Sequence, residues 1–408
     1  MPAPENSQLA GRVAFNYPDF RRYEYARFFI TVALEMQSVA VGWQVYELTR
    51  RPFDLGLVGL AQFLPGVLLF LASGHAADRF DRRKLLVLCY SGFAICSALL
   101  LGIAWRQTHA VNAIYAVLIL VGVVRSLSGP VTRAILPQLV AEEHFPNAIA
   151  WHATIYQTAT ILGPAVGGLT YALFRGPAGV YASATATALA AVVSTVSIRT
   201  RAKARPREPM NLTTVLAGLR YIWQRKLVLG VISLDLCAVL LGGAVALLPV
   251  YARDILKTGP WGLGILRSAP GIGAATMAVL LAHRPLRGRA GATMLWCVAG
   301  FGAFTIVFGL SRSLILSLVS LLLVGATDMV SVVVRAMLVQ LATPDEVRGR
   351  VNAVEMIFIG ASNEFGQFES GVTAQWFGTV PAVVLGGIGT LVVTALWAWG
   401  FADLRRAD

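Results

Sequence analysis

The chain has 408 residues, of which 56% are hydrophobic and 13% charged, whereas soluble domains carry about a quarter charged residues. Its formal net charge of +13 raises nucleic acid as a partner, but most of the basic residues lie in the segments between apolar stretches, which points to membrane orientation and contact with anionic lipid instead. The four cysteines, Cys89, Cys96, Cys237 and Cys297, all lie inside apolar stretches, so neither a disulfide framework nor a metal site is expected.

The chain opens on a polar segment, 1–23, that holds Arg12, Arg21 and Arg22. No small-residue cleavage site follows a short apolar core, so the first apolar stretch reads as an uncleaved anchor. Stretches long enough to span a hydrocarbon core, which takes about 20 helical residues, are expected near 25–48, 54–76, 85–104, 111–136, 147–173 and 178–197. A second set is expected near 227–252, 261–282, 290–310, 313–336, 351–376 and 380–402. Spans in lipid must satisfy their own backbone hydrogen bonds, which requires helices here, since no alternating strands are seen. The predicted fold is an all-α membrane protein with twelve transmembrane helices in two six-helix bundles, 1–198 and 227–408, joined by a basic linker, 199–226.

The linker begins RTRAKARPREP and continues with Leu212, Val215, Leu216, Leu219 and Ile222 at helical spacing beside Arg220 and Arg225. That pattern suits a helix lying in the headgroup region, and equally a plain tether. With the N-terminus cytoplasmic, the inner segments hold Arg79, Arg82, Arg83 and Lys84, then the linker, then Arg284, Arg287 and Arg289, then Arg405 and Arg406. The outer loops hold Arg50, Arg51, Arg106, Arg175, Lys257 and Arg312, a roughly threefold excess of positive charge inside. Both termini are therefore expected in the cytoplasm, with the chain in the inner membrane.

An internal repeat supports two related halves. LVGVVRSLSGPVTRAILPQL, from Leu120 to Leu139, returns as LVGATDMVSVVVRAMLVQL, from Leu323 to Leu341, with one residue deleted, so that Arg133 and Gln138 match Arg335 and Gln340. Duplicated bundles of this kind place a substrate path between repeats near mid-membrane.

The segment GHAADRFDRRK, Gly74 to Lys84, resembles the signature between the second and third helices of major facilitator transporters, through Gly74, Asp78, Arg79, Arg82 and Arg83. Asp81 stands where that pattern has a second glycine, which implies a differently shaped turn. Asp78 at a helix N-terminus among guanidinium groups is expected to form a charge cluster that breaks and reforms during transport. Arg125 with Gly129 is similar to the superfamily's fourth-helix arginine motif, and Gly163, Pro164, Gly167 and Gly168 resemble its fifth-helix antiporter motif, with Ala159 replacing the leading glycine. Together with NYPDFRRYEYARFF, GLVGLAQFLPG and TPDEVRGRVNAV, these segments resemble the bacterial clade of the enterobactin exporter and macrolide efflux proteins. The resemblance implies proton-driven export of small amphipathic molecules; separately, no cofactor is expected, and the protein is expected to work as a monomer among membrane lipids.

Ionisable residues inside spans are costly unless paired, protonated or wet. Carboxylates among them are Glu35 in the first span, Asp235 in the seventh, Asp328 in the tenth, and Glu355, Glu364 and Glu369 in the eleventh. Glu35 is the leading candidate for the proton carrier and Glu364 the second, with Asp328 and Asp235 behind them. The repeat sets Arg125 opposite Asp328, and the superfamily's facing helices imply that the two form a polar centre. Trp43, Gln62, Phe63, Tyr156, Gln157 and Asn363 are the candidates for a cargo-binding lining. A proton-coupled importer is the main alternative and a transport-inactive sensor or scaffold a further one. The scattered histidines, His75, His109, His144, His152 and His283, form no metal motif, and no Walker-type phosphate loop occurs, so neither an intramembrane enzyme nor direct use of ATP is expected.

Overall fold

A computed structural model describes residues 12–69, 73, 76, 79–107, 110–199, 212–284 and 289–407, without the side chains of 212–215 and 345. The described residues form helices and their connections, with no strand among them. In chain order the helices are α1 (Pro18–Thr49), α2 (Pro52–Leu68), α3 (Arg82–Trp105), α4 (Val111–Ile135), α5 (Phe145–Leu173) and α6 (Pro177–Val196). They continue with α7 (Leu212–Gln224), α8 (Lys226–Leu241), α9 (Gly259–His283), α10 (Ala290–Leu310), α11 (Leu314–Ala342), α12 (Asp345–Phe377), α13 (Thr379–Gly400) and the short α14 (Ala402–Arg406).

Nine helices among the described residues are long and apolar enough to cross a membrane, and α2 is a shorter apolar helix. The expected stretches at 147–173 and 351–376 are helical as α5 and α12 but fall outside that apolar set. In α12 the cause is the run of polar and charged residues from Asp345 to Asn352 and the carboxylates Glu355, Glu364 and Glu369. The all-α membrane class is thus observed, while the count of twelve spans stays an expectation.

The chain falls into two compact units, Met1–Val41 with Leu64–Pro209, and Gly42–Phe63 with Met210–Asp408. In the first unit α3 lies against α4 and α6. The buried Ser97 hydroxyl donates to Gln37 Oε1 at 2.6 Å, and Tyr23 donates to the Thr132 carbonyl at 2.9 Å. These bonds tie α1 to α3 and α4 while satisfying polar groups that lipid would leave bare.

In the second unit α11 packs on α9 and α10, and α8 packs on α12 and α13. A Cβ added at Gly325 would collide with the Pro270 carbonyl of α9, the kind of close approach that small residues permit in membranes. After α8 the chain passes through a short tight helix, Ala244–Leu247, and a π-helical turn, Tyr251–Ile255. Helix α7 buries Ile222 in the apolar core of this unit. Tyr221 donates to the Ala342 carbonyl at 3.0 Å, and Leu216 and Trp223 stay exposed.

Candidate functional site

The second unit holds a charged cluster built from three helices. Arg335 on α11 donates Nη1 to the Asp235 carboxylate on α8, and its Nε lies 3.1 Å from Glu355 Oε1 on α12. Arg335 and Asp235 are buried. Two turns before Arg335, Asp328 joins Asp235 and Ser331 around a small cavity whose other walls include Val298 and Phe301. Three carboxylates around one guanidinium cannot all be balanced by it, so the cluster carries an excess of acidic groups. Of the expected coupling residues, the structure brings Asp235 and Asp328 together, and it adds Arg335 and Glu355. Arg125 is an exposed residue of α4 in the first unit, so it and Asp328 belong to different units.

Glu35 sits where α1 crosses α5. A Cβ added at Gly163 would fall 2.5 Å from Glu35 Cβ, and one added at Gly167 would fall 2.8 Å from Met36 Cα. The glycines of the antiporter-like motif therefore make room for the backbone and Cβ of α1, and Pro164 and Gly168 are buried beside them. One helical stretch away, the buried Glu24 accepts from or donates to His152 Nδ1 at 2.8 Å, and the His152 ring stacks on Tyr23 at 5.8 Å. The Arg27 guanidinium lies 4.8 Å over the ring of Tyr156. Glu24 falls just before the expected first span, 25–48, and so did not count among the ionisable residues inside spans. His152, on the otherwise uncharged α5, was the available signal.

Within the signature after α2, Gly74 and Asp78 lie outside the described residues. Arg79 is exposed, while Arg82 is buried and donates Nη1 to the Ala134 carbonyl at 2.9 Å. Arg83 donates to the Val196 carbonyl. Asp81, the departure from the superfamily pattern, is the N-cap of α3, accepting from the amides of Arg83 at 2.9 Å and Lys84 at 3.1 Å. A carboxylate there satisfies two orphan donors and meets the positive end of the helix.

A groove of about 690 Å³ runs between α8 and α12. Leu236 and Leu240 form one wall, and Phe358, Ser362, Phe365, Phe368, Glu369, Thr373 and Trp376 form the other. The start of α2 closes against the same helix: a Cβ on Gly371 would lie 2.8 Å from Gly56 Cα, Phe63 meets Phe365 edge-on at 5.5 Å, and Phe53 meets Phe368 at 6.1 Å. None of the six expected cargo residues lines this groove, although Phe63 touches its wall. Gln62 and Asn363 donate to carbonyls of their own helices, at 3.3 Å and 2.8 Å. Glu364 accepts from Gln367 Nε2 at 3.2 Å and faces Gly59. Trp43 carries the Arg253 guanidinium 5.5 Å from its ring centre, while Tyr156 and Gln157 belong to the first unit.

A second charged group surrounds the π-helical turn. Arg253 Nη1 lies 3.3 Å from Glu47 Oε1, Tyr46 donates to Asp254, and Arg50 lies 3.6 Å from the same carboxylate. Together these contacts hold the end of α1 to this turn. No group of three or more metal-ligating side chains occurs among the described residues.

A family profile described as transmembrane secretion effector matches residues 14–406. The chain belongs to this family, a branch of the major facilitator superfamily. The enterobactin exporter EntS of Shigella boydii serotype 4 (strain Sb227) is 28% identical over 400 residues, covering 96% of this chain and 93% of that protein. EntS of Escherichia coli O139:H28 (strain E24377A / ETEC) matches with the same identity and coverage. Among solved structures, the nucleoside transporter NupG superposes with a TM-score of 0.68 at 14% identity, over 96% of this chain and 100% of that one. A bacterial homologue of the human lysosomal transporter Spinster superposes with a TM-score of 0.72 at 13% identity, over 95% and 98%. Family membership and the apolar helices make the chain an integral inner-membrane transporter with a small-molecule substrate.

Proposed function

We propose that this transporter exports a small amphipathic molecule, of siderophore or drug type, by alternating access coupled to inward proton movement, as a monomer with both termini cytoplasmic. The observation that carries the coupling is the cluster of Asp235, Asp328 and Glu355 around Arg335. When solvent access to such a cluster changes, desolvation and the guanidinium act on the acids in opposite senses, and protons bind or leave. Glu35, held against Gly163, is a second carrier in this reading. The full-length relationship to EntS supports the outward direction, as do the antiporter-like glycines of α5.

The test uses purified full-length protein in liposomes and everted membrane vesicles. Everted vesicles are expected to accumulate cargo when acidified inside and to lose it when the gradient is collapsed. Asp328→Asn and Glu35→Gln are expected to remove the dependence on the gradient. Accumulation in right-side-out vesicles instead would establish uptake, and transport indifferent to the pH gradient would remove the coupling.

A further inference from the structure

The groove between α8 and α12 is apolar and aromatic, with one ionisable group. Ser362, Phe365, Glu369, Thr373 and Trp376 recur at intervals of three and four along α12 and so form one stripe. Glu369 Oε1 accepts from the Thr373 hydroxyl at 2.7 Å, and none of the groove-lining residues is cationic. Trp376 is 74% exposed and Phe365 47%, leaving broad ring surface beside the carboxylate.

Three occupants can be compared on this chemistry. A hydrocarbon tail would cover the rings but leave Glu369 without a counter-charge, an expensive arrangement inside a membrane. An anionic cargo, such as a deprotonated catechol, would meet a like charge with no cation in the wall to offset it. A large hydrophobic cation satisfies both features, since its apolar surface covers the aromatic wall while its charge faces Glu369 and the negative ring faces. We infer that this groove binds lipophilic organic cations, with Glu369 as their counter-ion. The inference rests on the export reading only in naming the groove a cargo site.

Tetraphenylphosphonium and tetraphenylborate have the same shape and opposite charge, which makes them suitable probes for the full-length protein in lipid nanodiscs, with empty nanodiscs subtracted. Saturable binding is expected for the phosphonium and not for the borate. Glu369→Gln should weaken phosphonium binding about tenfold or more, equivalent to at least one decade in Kd, and Glu369→Asp should retain most of it. Leu240→Arg, which sets a cation in the opposite wall, should abolish phosphonium binding and admit the borate, and this variant decides the matter if Glu369→Gln fails to fold. Wild-type phosphonium affinity in Glu369→Gln, equal saturable binding of the borate, or a groove holding co-purified lipid and no cation would each overturn the inference. Cation binding through Glu369 without any cargo efflux would reject the exporter and keep the site. Cargo efflux by the wild-type protein with no saturable phosphonium binding would reject the site and keep the exporter.

Discussion

Arg335 on α11 donates to the carboxylate of Asp235 on α8, one hundred residues earlier in the chain, and the same guanidinium faces Glu355 on α12. One side chain thereby joins three helices of the second unit. Removing one member of a buried pair strands the other charge and costs about 3–5 kcal/mol, whereas replacing both is much less costly. Because Arg335 serves two acids, Arg335→Gln is expected to lower the thermal unfolding midpoint in detergent more than Asp235→Asn does. The double variant Asp235→Asn with Arg335→Leu should recover part of the loss. Equal midpoints for the two single variants would show that Arg335 is not the hub of the cluster.

The crossing of α1 and α5 gives a contrast between two glycines. A methyl at Gly163 would press on Glu35 Cβ, while one at Gly129 would meet nothing within 4 Å. Overpacking a tight site costs about 1–3 kcal/mol, so Gly163→Ala is expected to lower the midpoint and impair gradient-driven efflux, and Gly129→Ala to change neither. Thermal melts and vesicle transport on the two variants check this. Equal behaviour would mean that α1 can shift away from α5 at no cost.

Much of this architecture was legible because a lipid-spanning segment must close its own hydrogen bonds, so length and apolar composition alone mark helices such as α3, α10 and α13. The repeat singled out Arg335 by its match to Arg133. Its partners were not legible, since pairing with Asp235 links residues far apart and leaves no local pattern. Asp235 and Glu355 were visible as costly groups, but their common guanidinium was not. The aromatic groove was missed for a different reason. In a membrane helix an apolar residue facing lipid and one facing a cavity have the same composition, so nothing in the sequence sets Phe365 and Trp376 apart from ordinary packing residues. Asp81, seen first as a departure from the superfamily pattern, has a local cause in the capping of α3.

The contacts around the π-helical turn suggest local rather than global effects. Asp254 receives Tyr46 and faces Arg50, and the Arg50 and Asp254 side chains are 56% and 41% exposed. Such exposed pairs contribute at most about 1 kcal/mol, so Asp254→Ala is expected to leave the overall midpoint nearly unchanged. It should nonetheless speed amide exchange at the end of α1, around residues 46–50, because that end loses two of its attachments. Hydrogen–deuterium exchange followed by mass spectrometry reads this segment directly. Unaltered exchange there would mean that Arg253, through Glu47 and Trp43, holds α1 by itself.

The pair of Glu24 and His152 separates hydrogen bonding from ring packing. Glu24 is 2% exposed, and a buried polar group stripped of its partner costs about 1–3 kcal/mol, or more if charged. His152→Phe keeps a ring able to stack on Tyr23 but removes the nitrogen that meets Glu24. Glu24→Gln keeps a side chain that can still bond to His152. The first variant is therefore expected to lower the unfolding midpoint clearly, and the second to stay near wild type. Adding Glu24→Leu to His152→Phe removes both polar groups together and should restore stability, because no stranded carboxyl group remains. If His152→Phe alone is as stable as wild type, the ring stack and not the bond fixes α1 on α5, and Glu24 must then find water or another donor at that crossing.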